Sequence, residues 1–143
     1  MPNGAAVLVD TGPLVALFDR DDAHHDRCVR ALKEIRRPLL SVWPVLTEAT
    51  YLLSFSFQAQ DDLWEFVERG GVRIAELGAV DVSRVRALMR KYRDRPMDLA
   101  DAALVRVAER EQLRTVFTLD HGDFRIYRLP HGKPFTLIPA TLV

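Results

Sequence analysis

The sequence contains a single cysteine, Cys28, so it cannot form an internal disulfide, and we expect the chain to work in the reducing cytoplasm. It lacks any apolar run near the roughly 20 residues that a membrane helix needs, so no membrane association is expected. It also lacks a basic segment ahead of an apolar stretch, which argues against a secretory signal. Glycine and proline form no linker, and the 143 residues are predicted to fold as a single domain over 1–143.

The sequence also lacks an excess of charge of either sign, because 20 Lys and Arg residues balance 20 Asp and Glu residues. The balance changes if six acids are gathered around a metal ion, since 14 acids then face 20 basic residues. Overall neutrality therefore does not exclude a phosphate-rich partner. The six acids in question are Asp10, Glu48, Asp98, Asp101, Asp120 and Asp123.

Short apolar runs alternate with helical patterns along the chain. The runs are continuous, as in strands covered on both faces, and lie at 5–9, 38–42, 72–75, 114–119 and 135–138. Apolar residues at helical spacing predict helices over 23–36, 44–57, 59–69, 81–92 and 98–111. This alternation predicts an α/β fold, in which helices cover both faces of a central parallel sheet of about four to five strands.

Two acids follow predicted strands. Asp10 follows the first strand, in the segment AAVLVDTGPL, and Asp120 follows the strand at 114–119. Ligands of open α/β sheets collect beyond the carboxyl ends of the strands, so these two carboxylates are expected to be neighbours. Each also has a structural alternative. Asp10 or Thr11 is suited to cap a short helix, and Asp120 is suited to an ordinary turn.

Two further acids lie on predicted helices. Glu48 is three residues after Val45, which places it on the apolar stripe of its helix. Asp101 points about 140° away from Arg106, the residue of that helix expected to face water. Both acids are therefore predicted to point inward, where acids are paired or bind a metal. The alternatives are an ion pair with an arginine for Glu48 and a variant capping box for Asp98 with Asp101.

Four carboxylates in one place would repel one another and raise each other's pKa. A divalent cation would remove that repulsion, and Mg²⁺ and Mn²⁺ prefer oxygen ligands. We interpret the set as a candidate site for such a metal ion. The set consists of Asp10, Glu48, Asp101 and Asp120.

Four stretches, in this order and at these separations, resemble a PIN domain and, more narrowly, the VapC-type toxins of bacterial and archaeal toxin–antitoxin pairs. They are Asp10-Thr11-Gly12 after the first strand, Glu48 early in a helix, PMDLADAALVRVAER at 96–110 and TLDHGDF at 118–124. The resemblance spans residues 7 to about 138. It implies a three-layer α/β/α sandwich and a ribonuclease that depends on Mg²⁺ or Mn²⁺.

The resemblance also implies roles for single residues. Asp10, Glu48, Asp101 and Asp120 match the catalytic acidic quartet of the family. Three of these, Asp10, Asp101 and Asp120, are expected to hold the metal, and Glu48 either binds it or orients the attacking water. Asp98 and Asp123 match acids that often accompany the quartet as possible further ligands. Thr11 and Thr118 match supporting hydroxyl positions beside the site.

Basic residues flank the last two of these stretches. The run RKYRDRP at 90–96 precedes Asp98, and Arg125 follows Asp123. We expect these cations to hold the RNA backbone. The alternatives are a solvated helix end for the cations and core positions for Tyr92 and Phe124, which we prefer to a base-stacking role. The candidate RNA-binding residues are Lys91, Arg93, Arg95 and Arg125.

The stretch YLLSFSFQAQDDLWEFVERGG holds more large apolar side chains than one core-facing stripe needs. Some are therefore expected on the surface, where apolar patches mark interfaces. In VapC-like proteins this region commonly binds the antitoxin, and the toxin commonly forms a homodimer. The resemblance thus implies both partners, and the residues in question are Tyr51, Leu52, Phe55, Phe57, Trp64 and Phe66.

Other functions are weighed against the same residues. A dehalogenase-type phosphatase needs a second aspartate two residues after the first, where Gly12 stands. No GxGxxG or GxxxxGK loop for nucleotides is present. A PIN-like nuclease outside a toxin system, either structure-specific or RNA-processing, remains the enzymatic alternative. A non-catalytic module that binds RNA or protein remains the other.

Overall fold

Five parallel strands form the central sheet of the computed structural model, which describes residues 6–142. In chain order the strands are β1 (Val7–Val9), β2 (Leu39–Ser41), β3 (Arg73–Ile74), β4 (Thr115–Phe117), the antiparallel pair β5 (Arg128–Leu129) and β6 (Lys133–Pro134), and β7 (Thr136–Ile138). The sheet has the order β3-β2-β1-β4-β7. All five predicted runs are strands of this sheet; Ala5, at the start of the first run, lies outside the described residues.

Seven α-helices connect these strands within the described part of the chain: α1 (Thr11–Phe18), α2 (His25–Glu34), α3 (Trp43–Leu52), α4 (Phe57–Glu68), α5 (Val82–Lys91), α6 (Leu99–Glu111) and α7 (His121–Phe124). The five predicted helices are all present. One boundary was wrong, because α3 ends at Leu52 and not at 57. The Ser56 hydroxyl accepts a hydrogen bond from Ala59 N and so begins α4. No helix in residues 6–142 is both long and apolar enough to span a bilayer.

The strand order reverses between β1 and β4. The chain runs from β1 outward to β2 and β3, then crosses back to β4 on the other side of β1. Right-handed crossovers are expected to place α1–α4 on one face and α5–α7 on the other. In agreement, α1 contacts α2, α3 and α4, and α5 contacts α6, while α3 and α6 also meet. The α/β/α sandwich predicted from the sequence is confirmed. Its reversal point lies where Val9 pairs with Phe117, directly before the first predicted acidic residue.

One ion-pair network lies within the helical layer of α5 and α6. The carboxylate of Asp81 is buried and accepts hydrogen bonds from the Gly78 backbone and from Arg106 at 2.8 Å, with Arg110 at 3.2 Å. The Gly78 N–H and the Arg106 guanidinium hold its pKa below the usual value. The prediction that Arg106 faces water was wrong, because its guanidinium forms an ion pair with the buried Asp81.

Candidate active site

A cleft of about 550 Å³ opens at the carboxyl ends of β1 and β4. Acidic side chains from four separate parts of the chain line it, and we call it the acidic cleft. Every acid singled out in the sequence borders this cleft, together with Asp22, which the sequence gave no reason to select. Its acidic lining residues are Asp10, Asp22, Glu48, Asp98, Asp101, Asp120 and Asp123.

Asp10 is buried directly after β1. Its Oδ1 accepts a hydrogen bond from Thr11 N at 2.8 Å and so caps α1, and its Oδ2 accepts one from Thr118 Oγ1 at 2.8 Å. Burial, together with the charges of Asp120 and Glu48, raises the pKa of Asp10 to about 6, although the two hydrogen bonds act to lower it. The capping role and the place in the cleft are thus compatible, since each oxygen retains acceptor capacity.

Gly12 permits the close approach that brings Asp10 to the end of β4. A Cβ at this position would lie 3.2 Å from the Cβ of Leu119, which is tighter than ordinary side-chain contact. The first turn of α1 therefore packs directly on the segment that carries Thr118 and Asp120. This explains why glycine follows the Asp-Thr pair.

Asp101 is buried in the first turn of α6. Its backbone N–H donates to Asp98 Oδ1 at 2.8 Å, so Asp98 caps the helix, as the alternative reading held. Its Oδ2 accepts a hydrogen bond from the Tyr127 hydroxyl at 2.8 Å. Burial and the nearby charge of Asp10 raise the pKa of Asp101 to about 8, in spite of the tyrosine. The prediction that Asp101 points inward is confirmed.

Asp120 and Asp123 complete the floor of the cleft. Asp120 Oδ1 accepts from Asp123 N at 3.1 Å, and Asp120 N donates to Thr118 Oγ1 at 2.9 Å. Burial raises the pKa of Asp120, although its side chain is largely exposed. Carboxylate oxygens of Asp101, Asp120 and Asp123 lie within 4.8 Å of one another, the one such group with metal-ligand spacing in residues 6–142. We call these three residues the aspartate trio; Asp10 and Glu48 line the same cleft outside it.

Glu48 lies at the rim of the cleft and not in the interior. The prediction that it points inward was wrong, because α3 buries Val45, Leu46 and Ala49 and leaves the flank with Glu48 exposed. It has no ion-pair partner within 4 Å among the described residues, so the arginine alternative is not what the structure contains. Its carboxylate is therefore free to act in the cleft.

The donor set of the cleft fits a hard divalent cation. It consists of carboxylate oxygens and the Thr11 hydroxyl, and the described lining residues include no cysteine and no histidine. The Thr11 hydroxyl is buried beside Asp10 and has no hydrogen-bond partner within the described chain. Burial is the main cause of the raised pKa values of Asp10 and Asp101, and the groups that lower these values are hydrogen-bond donors without charge. These observations are what a site for a cation requires.

Among the cations predicted to hold RNA, Arg95 contacts an acid of this cleft, and two others contact their own neighbours in the chain. Arg95 Nε donates to Asp123 Oδ1 at 3.0 Å, Arg93 Nη1 donates to Arg90 O at 3.0 Å, and the Lys91 ammonium lies 5.2 Å from the centroid of the Tyr92 ring. Arg125 is exposed. Arg95 is thus a partner of the acidic residues as well as a candidate RNA contact.

The aromatic residues beside the cleft belong to the core. Tyr92 and Phe124 are buried and pack edge-on against the Tyr127 ring, at 5.0 and 5.2 Å between centroids. The preferred reading of both as core residues is confirmed. Tyr127 itself was missed. No local pattern identifies a tyrosine whose partner, Asp101, lies 26 positions earlier.

We expect Tyr127→Phe to weaken Mn²⁺ binding about tenfold at pH 7, because loss of the hydrogen bond raises the pKa of Asp101 further and leaves its carboxylate less firmly oriented. Calorimetric titration of the RNA-free protein measures the affinity, and repeating it at higher pH should narrow the difference. Tyr92→Phe is the matched control. It removes a phenol from the same cluster that accepts only from Arg128 N. Equal affinity for both variants would rule out a positioning role for Tyr127.

Comparison with known proteins places this arrangement in context. The family model described as PIN domain matches residues 7–129. Ribonuclease VapC26 of Mycobacterium tuberculosis is 30% identical over 135 residues, which cover 93% of this chain and all of that protein. The crystal structure of Mycobacterium tuberculosis VapC20, a sarcin–ricin loop cleaving toxin, superposes with a TM-score of 0.70 at 19% identity over 77% of this chain and 86% of that one. The crystal structure of VapBC2 from Rickettsia felis, bound to a DNA fragment from their promoter, superposes with a TM-score of 0.63 at 17% identity, over 92% of this chain and 98% of that one.

Proposed function

The chain belongs to the PIN domain family, and from this premise we propose that it is a metal-dependent endoribonuclease that serves as the toxin of a toxin–antitoxin pair. The resemblance predicted from the sequence is confirmed by the family match. The observation that carries the proposal is the meeting of Asp10, Asp101 and Asp120, from three remote segments, in one cleft with little positive charge to balance them. The single domain over 1–143 would act on RNA in the cytoplasm.

We propose that the aspartate trio holds a Mg²⁺ or Mn²⁺ ion, with Asp10 as a further ligand and Asp98 retained as a helix cap. A bound ion of this kind lowers the pKa of a water molecule and neutralises charge on the phosphate. The hydroxyl of Thr118 fixes Asp10 Oδ2 and also receives the Asp120 N–H, so one side chain sets the separation of two acids. Thr11 offers its unpartnered hydroxyl on the same side.

Glu48 is proposed to orient the attacking water. Its carboxylate is exposed at the rim and is not held by any cation of the described chain, so it is able to accept a hydrogen bond from a water molecule. Arg95 is proposed to keep Asp123 in place and to meet a phosphate from the rim. Lys91, Arg93 and Arg125 would extend this cationic border along the RNA.

The test is cleavage of a long single-stranded RNA with Mn²⁺ or Mg²⁺ and with EDTA. We expect endonucleolytic products only with the ions, and their loss in EDTA. Asp61→Asn, which changes an exposed acid on α4, is the control for removal of one negative charge and should cleave as the wild type does. Preferential cleavage of a flap DNA, or RNA binding without cleavage under all conditions, would reject the proposal in favour of the two alternatives.

An exposed apolar surface supports the antitoxin partner. Tyr51, Phe55 and Phe57 at the α3–α4 turn are 75%, 65% and 79% exposed, and Leu52 and Trp64 are exposed on the two helices that this turn joins. Phe66 is half-buried, since it packs on Phe18 at 5.7 Å between ring centroids, and is not part of this surface. We call Tyr51, Leu52, Phe55, Phe57 and Trp64 the hairpin patch, and propose that it binds the antitoxin.

We expect Phe55→Ser combined with Phe57→Ser to weaken antitoxin binding by more than about tenfold, because aromatic side chains at the centre of an interface carry much of its affinity. Co-expression with the antitoxin and co-purification measure the effect. We also propose a homodimer, supported by the exposed apolar side chains of Val80 and Val82. Val80→Ser with Val82→Ser is therefore the reciprocal control. This variant should still bind the antitoxin, and light scattering should give the mass of a monomer instead of a dimer. The same loss of antitoxin in both pairs would reject the assignment of the hairpin patch.

A further inference from the structure

A second cavity, of about 570 Å³, lies between α2 and the edge strand β7, away from the acidic cleft. Arginines form its walls, and Leu137, Ile138 and Pro139 line it with apolar atoms. We call this cavity the basic groove. Among residues 6–142, only one acid, Glu34, borders it, so this lining carries an excess of three positive charges in a chain whose net charge is zero. Its arginines are Arg27, Arg30, Arg36 and Arg37.

The arginines are spaced along one side of the groove. Arg27 and Arg30 lie three residues apart on one face of α2, and Arg36 follows the end of that helix. With a rise of about 1.5 Å per residue, the cationic wall is on the order of 15 Å long. Such a length suits several successive phosphates of an extended strand better than one small anion.

Three of these four cations are not used to stabilise the fold by ion pairs. Arg27, Arg30 and Arg36 have no carboxylate within 4 Å in residues 6–142, and the Arg27 guanidinium contacts only the imidazole of His24, at 3.0 Å. The contrast is Arg106, which neutralises the buried Asp81. Arg27, Arg30 and Arg36 therefore retain their positive charge for a ligand.

The two ends of the groove connect it with the rest of the sheet. Arg37 Nη1 donates to Thr115 Oγ1 at 3.5 Å, at the amino end of β4. At the other end, Ile138 O accepts a hydrogen bond from Thr118 N at 3.0 Å. Thr118 is the residue whose hydroxyl holds Asp10 in the acidic cleft. The groove thus leads from the amino edge of the sheet to the back of the candidate active site.

We propose that the basic groove binds the phosphate backbone of single-stranded RNA outside the point of cleavage. This inference rests on the proposed ribonuclease function, because the acidic cleft repels phosphates and needs cations elsewhere to retain the strand. Guanidinium groups match phosphate with paired hydrogen bonds, and the apolar lining offers contact to sugars and bases. An RNA strand can enter this concave surface, whereas a flat membrane cannot contact its lining.

The test is binding of a fluorescent oligouridine of about 20 nucleotides by the full chain in EDTA, where no cleavage occurs. We expect Arg30→Glu with Arg36→Glu to weaken binding at least tenfold and to reduce the slope of log affinity against log salt by about 1.4, or 0.7 for each lost phosphate contact. Arg73→Glu with Arg86→Glu makes the same change of net charge at two exposed arginines elsewhere and should stay within about twofold of wild type. The neutral pair Arg30→Gln with Arg36→Gln should give an intermediate loss, and thermal melting checks that each variant is folded.

Equal losses in both charge-reversed pairs, no loss in the groove pairs, or no binding by the wild type would each overturn the proposal. A loss confined to binding of phosphatidylserine vesicles would do so in favour of a membrane surface. Cleavage of an oligomer of about four nucleotides, which occupies the cleft alone, should be unaffected by the groove variants. If the wild type binds RNA through the groove but cleaves none with Mn²⁺, the ribonuclease function fails and the groove stands. If it cleaves RNA and the groove variants bind normally, only the groove fails.

Discussion

Replacing Asp101 with asparagine is expected to lower RNA cleavage about 10³-fold while making the metal-free protein more stable at pH 8. The activity falls because the aspartate trio loses an ionised oxygen, and charge stabilisation by a metal site is worth several kcal/mol in such reactions. The stability rises because the pKa of Asp101 is about 8, so that the buried carboxyl group is half ionised there at a cost. Asparagine keeps an acceptor for the Tyr127 hydroxyl without that charge.

Cleavage rates with saturating Mn²⁺ and urea unfolding in EDTA measure the two effects. Asp61→Asn is the matched control, since its exposed side chain should leave both quantities unchanged. An Asp101→Asn variant that cleaves normally would remove this residue from the mechanism. A variant that is inactive and also less stable at pH 8 would show that the loss comes from damage to the fold.

The free energy of unfolding of the metal-free protein is expected to fall by about 3 kcal/mol between pH 5 and pH 8, relative to the double variant Asp10→Asn with Asp101→Asn. The folded-state pKa values of the two acids, about 6 and about 8, lie above the ordinary value of 3.8. At pH 5 the unfolded chain has already released both protons, whereas the folded chain retains each proton until the pH passes its raised pKa. A rise in pH through this window therefore lowers the stability of the folded state. The fall is smaller than the summed shifts suggest, because the cleft is open to water.

Urea unfolding in EDTA across this range measures the effect. His121, whose pKa burial lowers, also contributes to the pH dependence, but it is present in both proteins and cancels in the comparison. Mn²⁺ at about 100 times its dissociation constant should restore about 2.7 kcal/mol to the wild type at pH 8 and much less to the double variant. Parallel curves for the two proteins would contradict the raised pKa values.

Most strands and helices of this protein, and the acids of its cleft, were predicted from the order of residues along the chain. The five strands and the five longer helices follow from apolar runs and helical spacing, which are properties of neighbouring residues. The acids of the cleft were identified because each stands at a strand end or a helix start, and a parallel sheet brings such positions to one edge. The errors were also local. The α3 boundary was misplaced because Ser54 and Ser56 interrupt a stretch whose large apolar residues otherwise suit a helix.

Side-chain exposure on the flank of a helix proved harder to predict. Glu48 lies next to the buried stripe of α3. It is about 60° from buried Val45 around the helix axis, which is enough to move its side chain from the interior to the rim of the cleft. The hairpin patch was expected from an excess of apolar residues, but the structure separates exposed Phe57 from half-buried Phe66, because only the latter meets Phe18. Composition indicates that there are more large apolar residues than the core needs, and packing determines which of them remain exposed.

The sequence by itself determined the elements of the fold, the residue types at the cleft and the family, because these depend on spacing along the chain. Only the tertiary structure decided how the acids interact. The Thr118–Asp10 hydrogen bond joins residues 108 positions apart, and the Tyr127–Asp101 bond joins residues 26 apart. The raised pKa values, the pairing of Arg95 with Asp123 and the basic groove between α2 and β7 arise in the same way. Burial and charge interactions depend on distance in space, which a linear order of residues does not contain.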